Sequence, residues 1–148
     1  MKMSMLHTLV QSEWYKENDF EDFLNGEPSY VVFNGNDFTL KENPLLAKVG
    51  DKVRLYVNNV GPNEVSSFHV VGTVMDTVYV DGNPKNQLFG LQTVMLPASG
   101  GAVVEFTVTE EGDYPIVTHQ FNHATKGGVA ILRVTADGQD HGGKAMSH

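Results

Sequence analysis

Apolar residues in this chain come in short runs, most with a period of two, and glycine, proline or asparagine soon cuts each run off. Residues 52–57 (KVRLYV) alternate polar with apolar, the pattern of a strand with one face on a core. Residues 6–15 (LHTLVQSEWY), 29–33 (SYVVF), 66–74, 77–80, 91–96 (LQTVML), 102–108 (AVVEFTV), 114–118 and 129–134 (VAILRV) read as further strands. Many short strands with turn residues between them predict an all-β antiparallel sandwich or barrel. No long segment has a period of 3.6, which argues against a helical bundle. Residues 18–24 (NDFEDFL) predict one helical turn, with Asn18 as its cap and acids in its first turn. From residue 136 to residue 148 the apolar pattern is lost, which predicts a solvated tail.

A chain of 148 residues fits one domain with its own core. Its 18 acidic and 10 basic residues give a net charge of −8. That balance argues against nucleic acid and anionic membranes, which need clustered Lys and Arg. Cysteine is absent, which excludes disulfides, thiolate catalysis and cysteine-bound zinc. No stretch approaches the ~20 apolar residues of a membrane span. The opening MKMSMLH lacks the apolar run of a signal peptide.

Candidate chemistry rests on the histidines: His7, His69, His119, His123, His141 and His148. Neutral imidazole is a common ligand for copper and zinc, and it shuttles protons near neutral pH. His69 lies inside an apolar strand (SSFHVVG), where a hydrogen-bonded core histidine and a functional one are both open readings. His119 follows the strand YPIVT, at a loop, where sites are often carried. A helical turn over 120–126 would put His119 and His123 on one face at i and i+4, able to chelate one metal; alternatively His123 faces solvent. His141, Met146 and His148 fall in the tail, where ordering entropy opposes a site. Gly100-Gly101 and Gly127-Gly128 are not phosphate loops, and no GxSxG elbow is present. Trp14 and Tyr15 read as packing at a strand end.

Three segments together carry a resemblance: 61–72 (GPNEVSSFHVVG), 91–119 (LQTVMLPASGGAVVEFTVTEEGDYPIVTH) and 122–128 (NHATKGG). They resemble the second cupredoxin domain of copper-containing nitrite reductases, and related two-domain multicopper oxidases look similar. The resemblance runs from about residue 30 to residue 134. It implies a Greek-key β-sandwich or barrel of the cupredoxin type. It implies a type-2-like, His-ligated copper with His119 as a ligand, His69 as the proton-handling histidine and Val71 as the apolar residue over the copper pocket. It implies a homotrimer, because in that family the copper lies between subunits. It also implies a parent protein that is periplasmic or extracellular.

The differences from the family shape the expectation. Without cysteine the chain supplies no type-1 copper site. The domain that carries that site in the family, with the other copper ligands and the catalytic aspartate, has no counterpart in these residues. Residues 1–28 are expected to be a terminal strand and linker left from that preceding domain, 29–135 the cupredoxin-like domain and 136–148 a flexible tail. The expected function is a copper-binding cupredoxin domain, inactive in nitrite reduction when alone, with the first cupredoxin domain as a partner. Its copper is completed either by copies of His119 or His123 meeting in a trimer, or by His119 and His123 chelating within one chain. The alternative is a structural or oligomerisation domain that lends a His only to a partner domain. A third reading is a stand-alone enzyme using another metal at His119 and His123.

Overall fold

The computed structural model describes residues 5–16, 20–35 and 39–142. These form two sheets that face each other across one core. The first has the order β2-β1-β4-β9-β6-β7, where β1 is Met5–Trp14, β2 Tyr30–Phe33, β4 Lys52–Gly61, β6 Met75–Val80, β7 Gln87–Leu91 and β9 Gly100–Thr107. The second has the order β3-β11-β10-β5-β8, where β3 is Leu45–Lys48, β5 Ser66–Val70, β8 Thr93–Leu96, β10 Gly112–Thr118 and β11 Val129–Thr135.

Alternation along each strand builds the core. Val53, Leu55 and Val57 of β4 point inward, as do Phe68 and Val70 of β5 and Leu132 and Val134 of β11. Phe33, Phe68 and Phe106 are among the largest fully buried side chains. Each such burial contributes roughly 1.5–3 kcal/mol relative to exposure.

The sandwich is not purely antiparallel. β1 runs parallel to β4, and β3 parallel to β11. β1 sits between β2 and β4 with Leu9 in the core, so it packs as an interior strand of the domain. Besides α1 (Phe20–Asn25) the described residues include two one-turn helices, α2 (Thr39–Glu42) and α3 (Phe121–Ala124). α1 matches the helical turn expected from the sequence, while its expected cap Asn18 lies outside the described residues.

β4 runs on to Gly61 because Asn59, although buried, is satisfied: its amide donates to Glu64 O at 2.9 Å and to Leu96 O at 3.1 Å. The run expected over 91–96 is two strands. The chain leaves β7 in one sheet and enters β8 in the other, with Gln92 at the crossing. Residues 136–142 are polar and mostly exposed, but they are tied down. Arg133 pairs with Asp113 and with Asp140, and His141 Nε2 lies 2.9 Å from both carboxylate oxygens of Asp137. Met146 and His148 lie outside the described residues. Among the described residues no helix is long and apolar enough to cross a membrane.

Candidate metal centre on the outer sheet face

On β5 the residues between the core positions, Ser67 and His69, point away from the core. The neighbouring strands repeat the pattern. β8 turns Thr93 and Met95 outward, and β10 turns Val117 outward. His119 follows β10, and its N–H still donates to Ser67 O at 2.7 Å before the chain turns into α3. Register sets Val117 and Thr93 opposite His69 on its two sides. The His69 and His119 rings therefore meet on the outer face, with centroids 5.7 Å apart and planes inclined at 57°. His69 is not a core histidine, and the alternation in SSFHV already put it on the face opposite Phe68.

His69 is held from one side. Its Nδ1 hydrogen-bonds the Gln92 carbonyl at 2.5 Å, with the Thr93 hydroxyl 3.4 Å away. A carbonyl only accepts, so Nδ1 carries the proton and Nε2 is the ring nitrogen left to act as a base or ligand. The carbonyl is available because the chain changes sheets at Gln92. Sequence reasoning missed Gln92 and Thr93, since one continuous strand over 91–96 hides that break.

Val71 follows directly on β5, is 40% exposed, and its N–H donates to Pro115 O at 2.8 Å. Gly72 then turns the chain at φ +91, where a Cβ would sit 3.3 Å from the Tyr114 ring. The sequence VVG thus ends the strand just beyond His69 and leaves an exposed apolar side chain two residues past that histidine. On the other side, Gly128 lets the α3 turn come back against β10. A Cβ there would lie 2.8 Å from Thr118 Cγ2.

His123 goes elsewhere. It is 1% exposed, its Nδ1 is buried with no hydrogen-bond partner, and its N–H donates to Gln120 O at 2.8 Å. Its electrostatic neighbours are the carboxylates of Glu64 and Glu13 and the ammonium of Lys126. The chelate of His119 with His123 is not what α3 builds: one ring is exposed beside His69 and the other is buried. Nor does His123 face solvent. Helical spacing does not bring the two together because His119 still belongs to the sheet and only residues 121–124 are helical.

Burial holds the His123 pKa below the ordinary histidine value, against a smaller upward pull from Glu64 and Glu13. The unfolded chain therefore binds a proton more readily than the folded one. Stability is full above about pH 6.5 and falls as the pH drops below it, by at most about 1.4 kcal/mol per pH unit for one group. In urea unfolding from pH 7.5 to 5, His123→Gln is expected to lose stability less steeply than the unmodified chain. Parallel curves would show that His123 is not the titrating group.

Two outward imidazoles suit copper or zinc, but they do not complete a coordination shell. Among the described residues no group of three or more His, Cys, Asp and Glu side chains could hold a metal ion. The pair fits as part of a site whose other ligands come from outside this constellation.

A two-sheet sandwich of this kind, with its imidazoles on an outer strand face, is a domain of the cupredoxin type. The chain belongs to the multicopper oxidase family, which it matches over residues 8–138. It is 44% identical over 138 residues to a copper-containing nitrite reductase of Neisseria meningitidis, covering 85% of this chain and 36% of that protein. It superposes on a copper-containing nitrite reductase from Thermus scotoductus with a TM-score of 0.89 at 40% identity, covering 93% of this chain and 32% of that one. The copper nitrite reductase of Nitrosomonas europaea gives a TM-score of 0.88 at 34% identity, covering 98% and 54% of the two chains. The chain thus spans about a third of the length of the curated relative it matches. The resemblance to the second cupredoxin domain of these reductases, and the all-β sandwich it implied, are borne out.

Proposed function

We propose that this chain is a copper-binding cupredoxin module that lends His119 as a ligand to a type-2-like copper at a subunit boundary, as in the nitrite reductases it resembles. One observation carries the reading: His69 and His119 lie side by side on an outward face, with ring centroids 5.7 Å apart and no complete ligand set among the described residues. An incomplete, solvent-facing pair is what a site shared between chains looks like from one side. Assembly as a homotrimer, with a first cupredoxin domain supplying further imidazoles, would complete it.

Copper bound there supplies a Lewis acid that binds and polarises an oxyanion such as nitrite. The chain's own residues would do the rest. His69, its Nδ1 proton fixed by the Gln92 carbonyl, takes and gives a proton at Nε2 next to the anion. A positioned general acid of this kind contributes roughly 10²–10⁴-fold. Val71 gives the pocket an apolar wall that limits the size of the anion and keeps water from crowding it. Electrons must come from another domain, because a chain without cysteine builds no thiolate-ligated copper relay.

The test is copper loading of the purified chain, followed by metal analysis and sedimentation. Stoichiometric copper in a trimeric species is expected, with negligible nitrite turnover from an artificial electron donor. Robust turnover by the chain alone would contradict the need for a second domain. If copper binds no better than a short His-containing peptide would hold it, the chain is instead a structural domain whose histidine works only in a partner's site.

A further inference from the structure

The outer face that carries His69 and His119 also carries a thioether. Met95 of β8 is 70% exposed, while its neighbours Val94 and Leu96 are buried, so its sulfur belongs to the same face as the imidazoles. Register places Met95 directly opposite Ser67, and His119 donates its N–H to Ser67 O from the other side at 2.7 Å. Met95 and His119 therefore flank one residue, and that residue has only a hydroxymethyl side chain. Their backbones stand two strand spacings apart, about 10 Å. A methionine with three rotatable bonds and an imidazole can both lean over a serine to meet one ion, given metal–ligand bonds of about 2.0–2.3 Å.

We propose that Met95 supplies a thioether ligand to a cuprous ion held by His119. Soft sulfur selects Cu(I) over Cu(II) and zinc, whereas imidazole accepts all three. The pair gives reduced copper a nitrogen and a sulfur ligand from a single chain, without a neighbouring subunit. His69 is left free, its Nδ1 on the Gln92 carbonyl, for the proton work described above. The proposal accounts for an unbranched apolar side chain left open to water on the edge strand β8, on the sheet face that carries the two rings. It rests on the reading of His119 as a copper ligand, and the test separates the two.

The experiment is an anaerobic competition for Cu(I) with bicinchoninate, run on the full chain and on Met95→Leu and His119→Ala, with Cu(II) and Zn(II) titrations in parallel. Leucine keeps the volume and apolar character of an exposed site, so the melting temperature of Met95→Leu should match that of the unmodified chain. Met95→Leu is expected to lose about 10-fold or more in Cu(I) affinity, the loss typical of disturbing a ligand set, and to keep its Cu(II) and Zn(II) affinity. X-ray absorption of the Cu(I) form should show a directly bonded sulfur that disappears in Met95→Leu. Equal Cu(I) affinity in Met95→Leu and the unmodified chain, or no bonded sulfur, would overturn the role of Met95 while a loss in His119→Ala still upheld the copper reading. If His119→Ala binds every metal as well as the unmodified chain, that earlier reading fails instead.

Discussion

His119→Ala is expected to lower Cu(II) affinity by about 100-fold or more, at least the upper end of the range seen when only an outer partner of a ligand is lost. The ring is exposed and packs beside the His69 ring, so its removal leaves no buried group unpaired. The backbone link that pins this position, His119 N–H to Ser67 O, survives in alanine. Unfolding in urea should therefore keep its midpoint. His69→Gln is the matched control. On the proposed division of roles it removes a base and not a ligand, so Cu(II) affinity should hold while any nitrite turnover measured with a partner domain falls. Calorimetric titration of both variants decides it: unchanged binding in His119→Ala, or an equal loss in the two, would remove the division of roles.

Phe68→Ala is expected to cost about 3–5 kcal/mol, a large part of the stability of a domain this size. Phe68 is fully buried in the core, one residue from His69 on the opposite face of β5. The cavity would loosen the strand that carries the imidazole. The urea midpoint should drop with little change in slope, because the surface exposed on unfolding stays nearly the same. A loss under 1 kcal/mol would mean that the two sheets close over the gap.

Much of this was legible in the chain itself. The period of two in KVRLYV and VAILRV predicted half-buried strands, and the residues around His69 and His119 pointed to cupredoxin-type copper proteins. Other features depended on pairing that local pattern does not encode. Nothing in LHTLVQSEWY says that it will run parallel to β4 in the middle of a sheet. Asn59 sits inside β4 only because its amide finds the carbonyls of Glu64, five residues on, and of Leu96, distant in sequence. LQTVML looks like one strand because the change of sheet at Gln92 has no glycine or proline to mark it. His123 misled through spacing: i and i+4 bring residues together only if both are helical, and His119 is still bound to β5. That His69 faces outward follows from the alternation in SSFHV, although the apolar residues around it equally suit a core histidine.

The placing of His69 and Phe68 on opposite sides of one strand makes the length of that strand matter more than its composition. Deleting a single residue from β5 would exchange the two sets: the imidazole would be driven into the dry interior and the phenyl ring put in water. The outward imidazole proposed to handle protons and the folding free energy would be lost in the same event. Only changes of two residues at a time keep the phase, however freely the outward side chains of this segment are exchanged.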